Sequence, residues 1–293
     1  MSDIIYNASN LHIENGFIKN PNRYYLEEYF NQKPGINADI APGSADDNND
    51  GATAAQLATM NLSNKNFEIL GTNAASSNIS FSSTRAGINL LTNGSDNDQV
   101  ILLPHLDTNQ TAWSGIKWGT ENQVSWQCAI SVADIDNVGF WAGLKLTNVP
   151  AFATDDNQAY FFYDVDDSVT GGSLTTNANL HFCYSISGTE YITNLGITVA
   201  ADTIYKLRID IDKDRKIKVF VGTSASGTVT KMSQYGLTQT ASSTGVTVDD
   251  SKQLSLAMAN DIDLIPYIGV QSTTGAADTL TVYYEKISRI LFE

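Results

Sequence analysis

The segment at 205–221, YKLRIDIDKDRKIKVFV, constrains the fold more strongly than any other part of the chain. In its first half, the apolar residues Tyr205, Leu207 and Ile209 alternate with charged residues. After the polar group DKDR, the alternation resumes at Ile217. Apolar residues at a period of two place one face of a strand on a core and the other in water. A short charged group between two such runs indicates a turn, so the segment predicts a β-hairpin.

Short apolar or alternating runs continue along the chain from residue 66 to the end. In VSWQCAISV at 124–132, Val124, Trp126 and Cys128 share one face of the predicted strand. Roughly a dozen such runs are separated by turn residues every 8–12 positions or so, a spacing typical of β-sandwiches. Strands do not alternate with long helical patterns, which disfavours a parallel sheet. We therefore predict an all-β protein, an antiparallel two-sheet jelly-roll sandwich.

The first 60 residues differ in composition from the rest of the chain. YYLEEYF at 24–30 predicts a short helix that ends before Pro34, and ATAAQLATM at 52–60 predicts a second one. Little of this region is apolar, so it cannot form a core of its own. We predict an extended, partly helical N-terminal arm over 1–60 and a sandwich domain over 61–293.

Four aromatic residues of this arm are candidates for binding a partner: Tyr24, Tyr25, Tyr29 and Phe30. Aromatic side chains are enriched where proteins contact one another. They are also ordinary core residues. The arm therefore contacts a partner or a neighbouring copy, or else it folds back on its own sandwich.

The charge of the chain excludes one class of partner. With 17 Lys+Arg against 32 Asp+Glu, the net charge is −15. We expect no nucleic-acid partner, because phosphate binding needs a basic surface. No apolar run approaches the ~20 residues of a membrane span, and MSDIIYNASN lacks the features of a secretory signal. We expect a protein made in the cytoplasm without a signal peptide and without membrane insertion.

The chain has two cysteines, Cys128 and Cys183. Two buried thiols and a single disulfide are both compatible with their positions. Together with three histidines far apart in sequence, they give no zinc-binding spacing.

The order of the predicted strands carries a family resemblance. A strand with a central tryptophan (VSWQCAISV) precedes a Gly-rich strand (FWAGLKL) and an aromatic strand (AYFFYDV). The hairpin follows, and then a closing pair, LIPYIGVQ and LTVYYEKISRI. Over residues 66–293 this order resembles the concanavalin A-like lectin/glucanase jelly roll. The resemblance implies that fold, whereas function depends on individual sites.

A second resemblance rests on the phrases GFWAGLKLT, DDNQAYFFYD, LTTNANLHF, DLIPYIGVQ and SRILFE. These are similar to structural proteins of tailed phages of marine bacteria. The resemblance implies a virion protein on the particle surface, with the major capsid protein or other virion proteins as partners and the N-terminal arm as the anchor. We expect a homo-oligomer, because the arm is too poor in core residues to stand alone. A capsid decoration or head-fibre protein fits best, because the chain lacks long fibrous repeats. The alternative is a module that binds host glycans, in a tail fibre or a secreted protein.

The sequence does not predict an enzyme. Glycosidases of the concanavalin A-like superfamily carry two acids on one strand in a Glu-x-Asp-x-Glu pattern, which is absent here. The nearest matches are the Asp-Ile-Asp triplets at 134–136, 210–212 and 261–263, best interpreted as solvated acids. No histidine lies near a nucleophile motif such as Gly-x-Ser-x-Gly.

Three acidic segments are candidates for binding Ca²⁺, which prefers oxygen ligands. Their residues are Asp46, Asp47, Asn48 and Asp50 in the first segment, Asp155, Asp156 and Asn157 in the second, and Asp164 and Asp166 in the third. Solvated acidic loops are the alternative for all three. No cofactor is required by the sequence.

Glycan binding needs exposed aromatic rings beside amide and acid groups. The candidates are Trp113, Trp118, Tyr160 and Tyr163. Trp126 and Trp141 alternate with core residues, and we expect them to pack inside the sandwich.

Overall fold

The computed structural model describes residues 22–36, 64–83, 86–104, 112–113, 116–147, 155–166, 174, 177–224, 231–241 and 252–291. In these ranges the strands are β1 (Arg23–Glu28), β2 (Pro34–Ile36), β3 (Asn64–Leu70), β4 (Ile79–Phe81), β5 (Ile88–Leu91), β6 (Gln99–Pro104), β7 (Ala112–Trp113), β8 (Ile116–Gly119), β9 (Ser125–Val132), β10 (Val138–Lys145), β11 (Gln158–Asp164), β12 (Asn179–Ile186), β13 (Thr189–Thr198), β14 (Ile204–Ile211), β15 (Ile217–Ser224), β16 (Ser233–Tyr235), β17 (Asp263–Ser272) and β18 (Thr279–Ile290). Helical structure in the same ranges is confined to the 3-10 turns Ser76–Asn78 and Thr120–Asn122.

The strands form two sheets. Sheet A has the order β16-β15-β14-β9-β18-β5-β4, and β1 also pairs with β18. Sheet B has the order β13-β12-β11-β10-β17-β6-β3-β2, and β8 pairs with both β17 and β7. The pairings are antiparallel except that of β2 with β3. The predicted all-β, two-sheet jelly-roll sandwich is therefore confirmed. No helix among the described residues is long and apolar enough to cross a membrane.

The core lies between the two sheets and takes alternate residues from each strand. The predicted hairpin is confirmed as β14 and β15, with Leu207 opposite Val221. Leu207 and Ile209 are fully buried in this core, together with Trp126 of β9. Burying one such apolar side chain stabilises the fold by about 1.5–3 kcal/mol. The alternation seen in the sequence is thus the alternation between core and outer face.

The carboxyl group of a glutamate lies inside this core. Its burial was not predicted from the sequence. Glu285 of β18 is fully buried and accepts a 2.7 Å hydrogen bond from Trp126 Nε1. Burial raises the pKa of Glu285 to about 8. The carboxyl group therefore keeps its proton near neutral pH, which avoids the cost of a bare charge in an apolar interior.

The predicted helix at 24–30 is wrong. Residues Arg23–Glu28 form β1, which pairs antiparallel with β18 from Arg23↔Ile290 to Glu28↔Glu285. In this strand Tyr24 and Leu26 pack against the core. The edge of β18 supplies backbone hydrogen-bond partners that local helix propensity does not take into account. The second predicted helix, at 52–60, lies outside the described residues.

After β1 the chain crosses to sheet B. Phe30 adopts a left-handed φ of 54°, and its N–H donates to Glu28 Oε1 over 2.6 Å. The Phe30 ring is buried and packs edge-to-face on Phe67 of β3, with 5.3 Å between centroids. Residues 22–36 therefore fold back on the sandwich, one of the two alternatives for the arm. The boundary at residue 60 stays a prediction.

Both cysteines are free and buried, which decides between the two alternatives from the sequence. Cys128 lies in the core, and Cys183 lies on the outer side of sheet B. Burial raises the pKa of Cys183 to about 12, and that of Cys128 is also raised well above its usual value. Both side chains behave as small apolar groups, because the reactive thiolate form is suppressed.

Candidate functional site

Aromatic side chains line the outer face of sheet B in cross-strand register. Trp141 of β10 lies opposite Phe162 of β11, which lies opposite His181 of β12. In the next row, Tyr160 lies opposite Cys183. None of these five side chains is more than 3% exposed. This face is therefore a second, closed core and offers no open groove at these residues.

Gly269 makes room for the largest ring of this second core. A Cβ atom at Gly269 would lie 2.4 Å from an indole carbon of Trp141. The indole also stacks on Tyr267, with 5.8 Å between centroids and 25° between planes. The glycine thus lets the ring lie flat on β17, as a close approach of this kind requires.

A buried ion pair closes one end of this face. Lys145 Nζ lies 3.8 Å from Asp155 Oδ2 and 4.6 Å from the centroid of the Tyr267 ring. Burial lowers the pKa of Lys145, and the Asp155 charge partly opposes that shift. Asp155 also accepts hydrogen bonds of 2.8 Å from the N–H and Oγ1 of Thr147. The pair is fixed by its neighbours and has a structural role.

His181 and Cys183 share the outer side of β12 but do not form a nucleophilic pair. Burial lowers the pKa of His181 to about 4, so the imidazole is neutral near pH 7. The Cys183 thiol keeps its proton because its pKa is raised to about 12. A thiolate–imidazolium pair needs the opposite protonation states.

The predicted exposure of the glycan candidates is wrong for three of them. Trp118, Tyr160 and Tyr163 are 0%, 3% and 1% exposed. Tyr163 points between the sheets, and its hydroxyl donates to the Ile135 carbonyl over 2.8 Å. Tyr160 and Tyr163 are buried because both sides of β11 are packed, whereas antiparallel sheets commonly leave one side in water. Trp118 of β8 belongs to the core between the sheets. Trp113 lies in β7, and its side chain is outside the described part of the structure.

The structure describes the calcium candidates Asp164 and Asp166. Asp164 is buried at the end of β11, and Asp166 accepts a hydrogen bond from Thr273 Oγ1. Among the described residues, no three His, Cys, Asp or Glu side chains gather as metal ligands. Ca²⁺ takes six to eight oxygen ligands, and residues 167–173 lie outside the described part, so calcium binding at this segment stays a prediction. The candidates Asp46, Asp47, Asn48 and Asp50 lie outside the described residues.

The acids of the Asp-Ile-Asp triplets accept hydrogen bonds within turns or form ion pairs. Asp134 Oδ1 accepts hydrogen bonds from the N–H groups of residues 135 and 136. Asp212 Oδ1 accepts from the N–H groups of residues 214 and 216 in the hairpin turn. Asp210 is paired with Arg208 through two hydrogen bonds, of 2.8 and 2.5 Å. These acids thus match the interpretation as solvated or structural groups.

The outer face of sheet A has a different composition from the rest of the chain. Its strand positions carry five basic residues and two acids, namely Arg23, Lys206, Arg208, Lys218, Lys286, Glu27 and Asp210. The whole chain has 17 Lys+Arg and 32 Asp+Glu. Basic residues therefore outnumber acids at the strand positions of this face, whereas acids outnumber basic residues in the whole chain.

Two tyrosine rings lie beside Lys286 at the β1 side of this face. Tyr29 and Tyr284 have ring centroids 6.2 Å apart, with 47° between their planes. Lys286 Nζ lies 5.1 Å from the Tyr29 centroid and 5.0 Å from that of Tyr284. Tyr29 is 43% exposed. We call Tyr29, Tyr284 and Lys286, together with Arg208 two strands away in the same cross-strand row as Lys286, the sheet A cluster.

Hydrogen bonds fix the side chains in and around the sheet A cluster. Gln127 Nε2 donates to the hydroxyl of Tyr284. Arg208 lies over the Phe220 ring, with 5.0 Å from Cζ to the centroid. Asp210, the partner of Arg208, also accepts a 2.6 Å hydrogen bond from Ser125 Oγ. Side chains held in this way lose little further freedom when a ligand binds.

The arm aromatics divide between the core and this face. Tyr24 and Phe30 pack in the core, whereas the strand alternation places Tyr25 on the outer side, and Tyr29 lies in the sheet A cluster. Sequence reasoning singled out Tyr29 but missed Lys286. The sequence feature that could have indicated Lys286 is the alternation in YYEKIS, where Tyr284 and Lys286 alternate with buried residues.

Comparison with known proteins shows a similar fold but does not assign the chain to a family. No family model matches the chain, and no curated protein matches it. A protein of unknown function from Shewanella oneidensis MR-1 is similar, with a TM-score of 0.50 and 11% identity, covering 92% of this chain and 87% of that chain. Peanut lectin has a TM-score of 0.49 and 9% identity, covering 92% and 99% of the two chains. A β-glucanase of Bacillus licheniformis has a TM-score of 0.42 and 12% identity, covering 76% and 92%. At these identities the similarity concerns the fold alone.

Proposed function

We propose that this protein is a non-enzymatic, lectin-like binding protein that holds a polysaccharide on the outer face of sheet A. The observation that carries the proposal is the sheet A cluster, in which Tyr29 and Tyr284 lie next to each other and Lys286 Nζ lies within 5.1 Å of both ring centroids. Aromatic rings offer flat apolar surface to the faces of sugar rings, and nearby polar groups fix orientation. Tyr29 supplies an exposed ring, Tyr284 supplies a ring held by Gln127, and Lys286 supplies the polar group.

Burial favours sheet A over sheet B as the binding face. The aromatic rows of sheet B are at most 3% exposed, so a sugar has no access to them without displacing packed side chains. Tyr29 is 43% exposed. A ligand therefore reaches the outer face of sheet A without any rearrangement of the core.

The positions of the acids support a role without catalysis. Glycosidases hold two carboxyl groups roughly 5–9.5 Å apart across the glycosidic bond. On this face the two acids, Glu27 and Asp210, lie on β1 and β14, with β18 and β9 between them. Three strand spacings place their backbones about 14 Å apart. Asp210 is in addition engaged by Arg208.

A matched pair of Tyr29 variants tests the proposal. Tyr29→Ala removes the exposed ring, whereas Tyr29→Phe keeps it. On a panel of immobilised neutral and uronate-bearing polysaccharides, we expect Tyr29→Ala to weaken binding by about 2- to 10-fold and Tyr29→Phe to match the parent protein. Absence of binding to every polysaccharide by the parent protein would overturn the proposal.

Calcium dependence is tested in the same assay. The described residues of this face contribute to no cluster of metal-ligating side chains. Binding is therefore expected to persist when a chelator is added. Loss of binding with chelator would instead favour the predicted calcium loop at 46–50 and a glycan site that depends on it.

We further propose that the protein is a virion component of a tailed phage, a capsid decoration or head-fibre protein that displays this face. The proposal rests on the sequence phrases given above. Because β1 begins at Arg23, deletion of residues 1–21 leaves the strand pairing with β18 intact. We expect the deletion to reduce incorporation into particles while the melting temperature stays unchanged. Undiminished incorporation would rule out anchoring by residues 1–21.

A further inference from the structure

We infer that the ligand of the outer face of sheet A is an anionic polysaccharide that carries about one carboxylate per sugar, as a polyuronate does. The inference rests on the proposed function and adds the chemical class of the ligand. Its basis is the segregation of charge: five basic residues and two acids occupy this face of a chain with a net charge of −15.

Four of the five cations lie in three neighbouring cross-strand rows, and Arg23 lies in the next row, opposite Ile290. One row contains Lys286, Gln127 and Arg208 on β18, β9 and β14. The row on one side contains Lys206, opposite Ala129. The row on the other side contains Lys218, opposite Asp210. Strands lie about 4.8 Å apart, so the charges extend over an area that spans several sugar rings.

Two of the basic residues are already engaged within the protein. Arg208 is held by Asp210, and Arg23 Nη2 donates to the Gln123 carbonyl over 2.7 Å and to Ser288 Oγ over 3.1 Å. Lys206, Lys218 and Lys286 add three ammonium groups to the same face. A lysine ammonium acts as a point charge on a flexible stem and accepts carboxylates in many orientations.

The composition of the face favours a polysaccharide over an acidic protein. The centres of protein–protein interfaces are depleted of charged residues and enriched in apolar ones. Here the central row contains Lys286, Gln127 and Arg208, and the aromatic rings lie beside it. Rings next to cations match a ligand that itself alternates ring faces and anionic groups.

The small excess of positive charge on the outer face of sheet A favours a uronate chain over a densely sulfated one. The face has only three more basic than acidic residues, and it belongs to a protein with a net charge of −15. Anionic groups in excess of the available cations stay unpaired and are repelled by the remaining acids. A chain with one charge per sugar leaves fewer of them unpaired.

The test compares polygalacturonate with its fully methyl-esterified form, using the full chain. Both polymers present the same sugar rings, but the ester carries no charge. We expect the acid form to bind at least about tenfold more tightly at low salt, and we expect this preference to shrink as salt is added. Equal binding of the two forms would overturn the inference and leave the proposed polysaccharide binding intact.

Charge-neutralising variants locate the effect. Lys206→Gln, Lys218→Gln and Lys286→Gln should each weaken binding of polygalacturonate by up to about fivefold, the range of exposed charge pairs. Lys117→Gln is the matched control, because Lys117 lies on β8 beside sheet B with 67% of its side chain exposed. Unchanged binding in all three sheet A variants, or equal loss in the control, would contradict the assignment.

Two further polymers separate this ligand from other polyanions. Polyglutamate represents an acidic protein, and dextran sulfate represents a densely charged polysaccharide. Tighter binding of either than of polygalacturonate would overturn the inference. Failure of every polysaccharide, neutral or acidic, would overturn the proposed function as well. These two comparisons use the parent protein and do not depend on the folding of any variant.

Discussion

The outer faces of the two sheets are built by the same alternation and have opposite properties. In sheet B the residues pointing away from the shared core include Trp141 and Phe162, which are at most 1% exposed. In sheet A they include Lys286 beside Tyr29, which is 43% exposed. The period of two determines which residues point outward, and their chemistry determines whether that face becomes a second core or a binding surface.

The largest expected difference between the faces is in stability. Trp141→Ala should lower the free energy of unfolding by about 3–5 kcal/mol, because it removes a buried ring that is stacked on Tyr267. Urea-induced unfolding, monitored by circular dichroism, measures the change. A loss below about 1 kcal/mol would mean that the outer face of sheet B is open to solvent.

The next effect is a pH dependence that belongs to sheet B. His181 has a pKa lowered to about 4 by burial, so its neutral form is favoured by folding. The resulting stability is fully present above the unfolded pKa of about 6.5 and is lost as pH falls towards 4, by roughly 3 kcal/mol. His181→Phe should flatten this part of the stability–pH curve while keeping the ring that stacks on Phe162. Parallel curves for parent and variant would contradict the burial of a neutral imidazole.

On sheet A the expected stability effects are smaller. Arg208→Gln leaves Asp210 without its bidentate partner, although Ser125 Oγ still donates to it. Because both side chains are only about one-fifth exposed, the loss of these charged hydrogen bonds should lower the free energy of unfolding by about 1.5–3 kcal/mol. Thermal unfolding measures the shift. A loss below about 0.5 kcal/mol would mean that solvent screens the pair as it does on an open surface.

The smallest expected effect on stability is at the residue with the most direct role in binding. Tyr29→Ala should change the free energy of unfolding by less than about 1 kcal/mol, because a substantial part of the ring is already in water. Binding of polysaccharide should fall in the same variant. A variant that loses stability and binding in proportion would indicate that Tyr29 acts through the fold.

The sequence predicted the parts of the fold whose signal is local. The β14–β15 hairpin was predictable because its two strands are adjacent and alternate regularly. The strand β1 was not, because YYLEEYF contains good helix formers and its partner β18 lies at the other end of the chain. Strand pairing with a distant segment overrides such local propensity.

The candidate site was less predictable than the fold. Tyr29 and Tyr284 come together through the pairing of β1 with β18, and Arg208 shares their face through the pairing of β18, β9 and β14. No spacing along the chain reports that arrangement. The wrongly predicted exposure of Trp118, Tyr160 and Tyr163 has a related cause, since a run of apolar residues on both sides of a strand does not reveal which side is covered.

Hydrogen–deuterium exchange with and without polygalacturonate tests most directly the claim that one outer face binds and the other is closed. We predict slower exchange at 23–29, 206–210 and 284–288, which carry the sheet A cluster, and no change at 139–145 and 158–164 of sheet B. Protection confined to the sheet B segments would contradict the account.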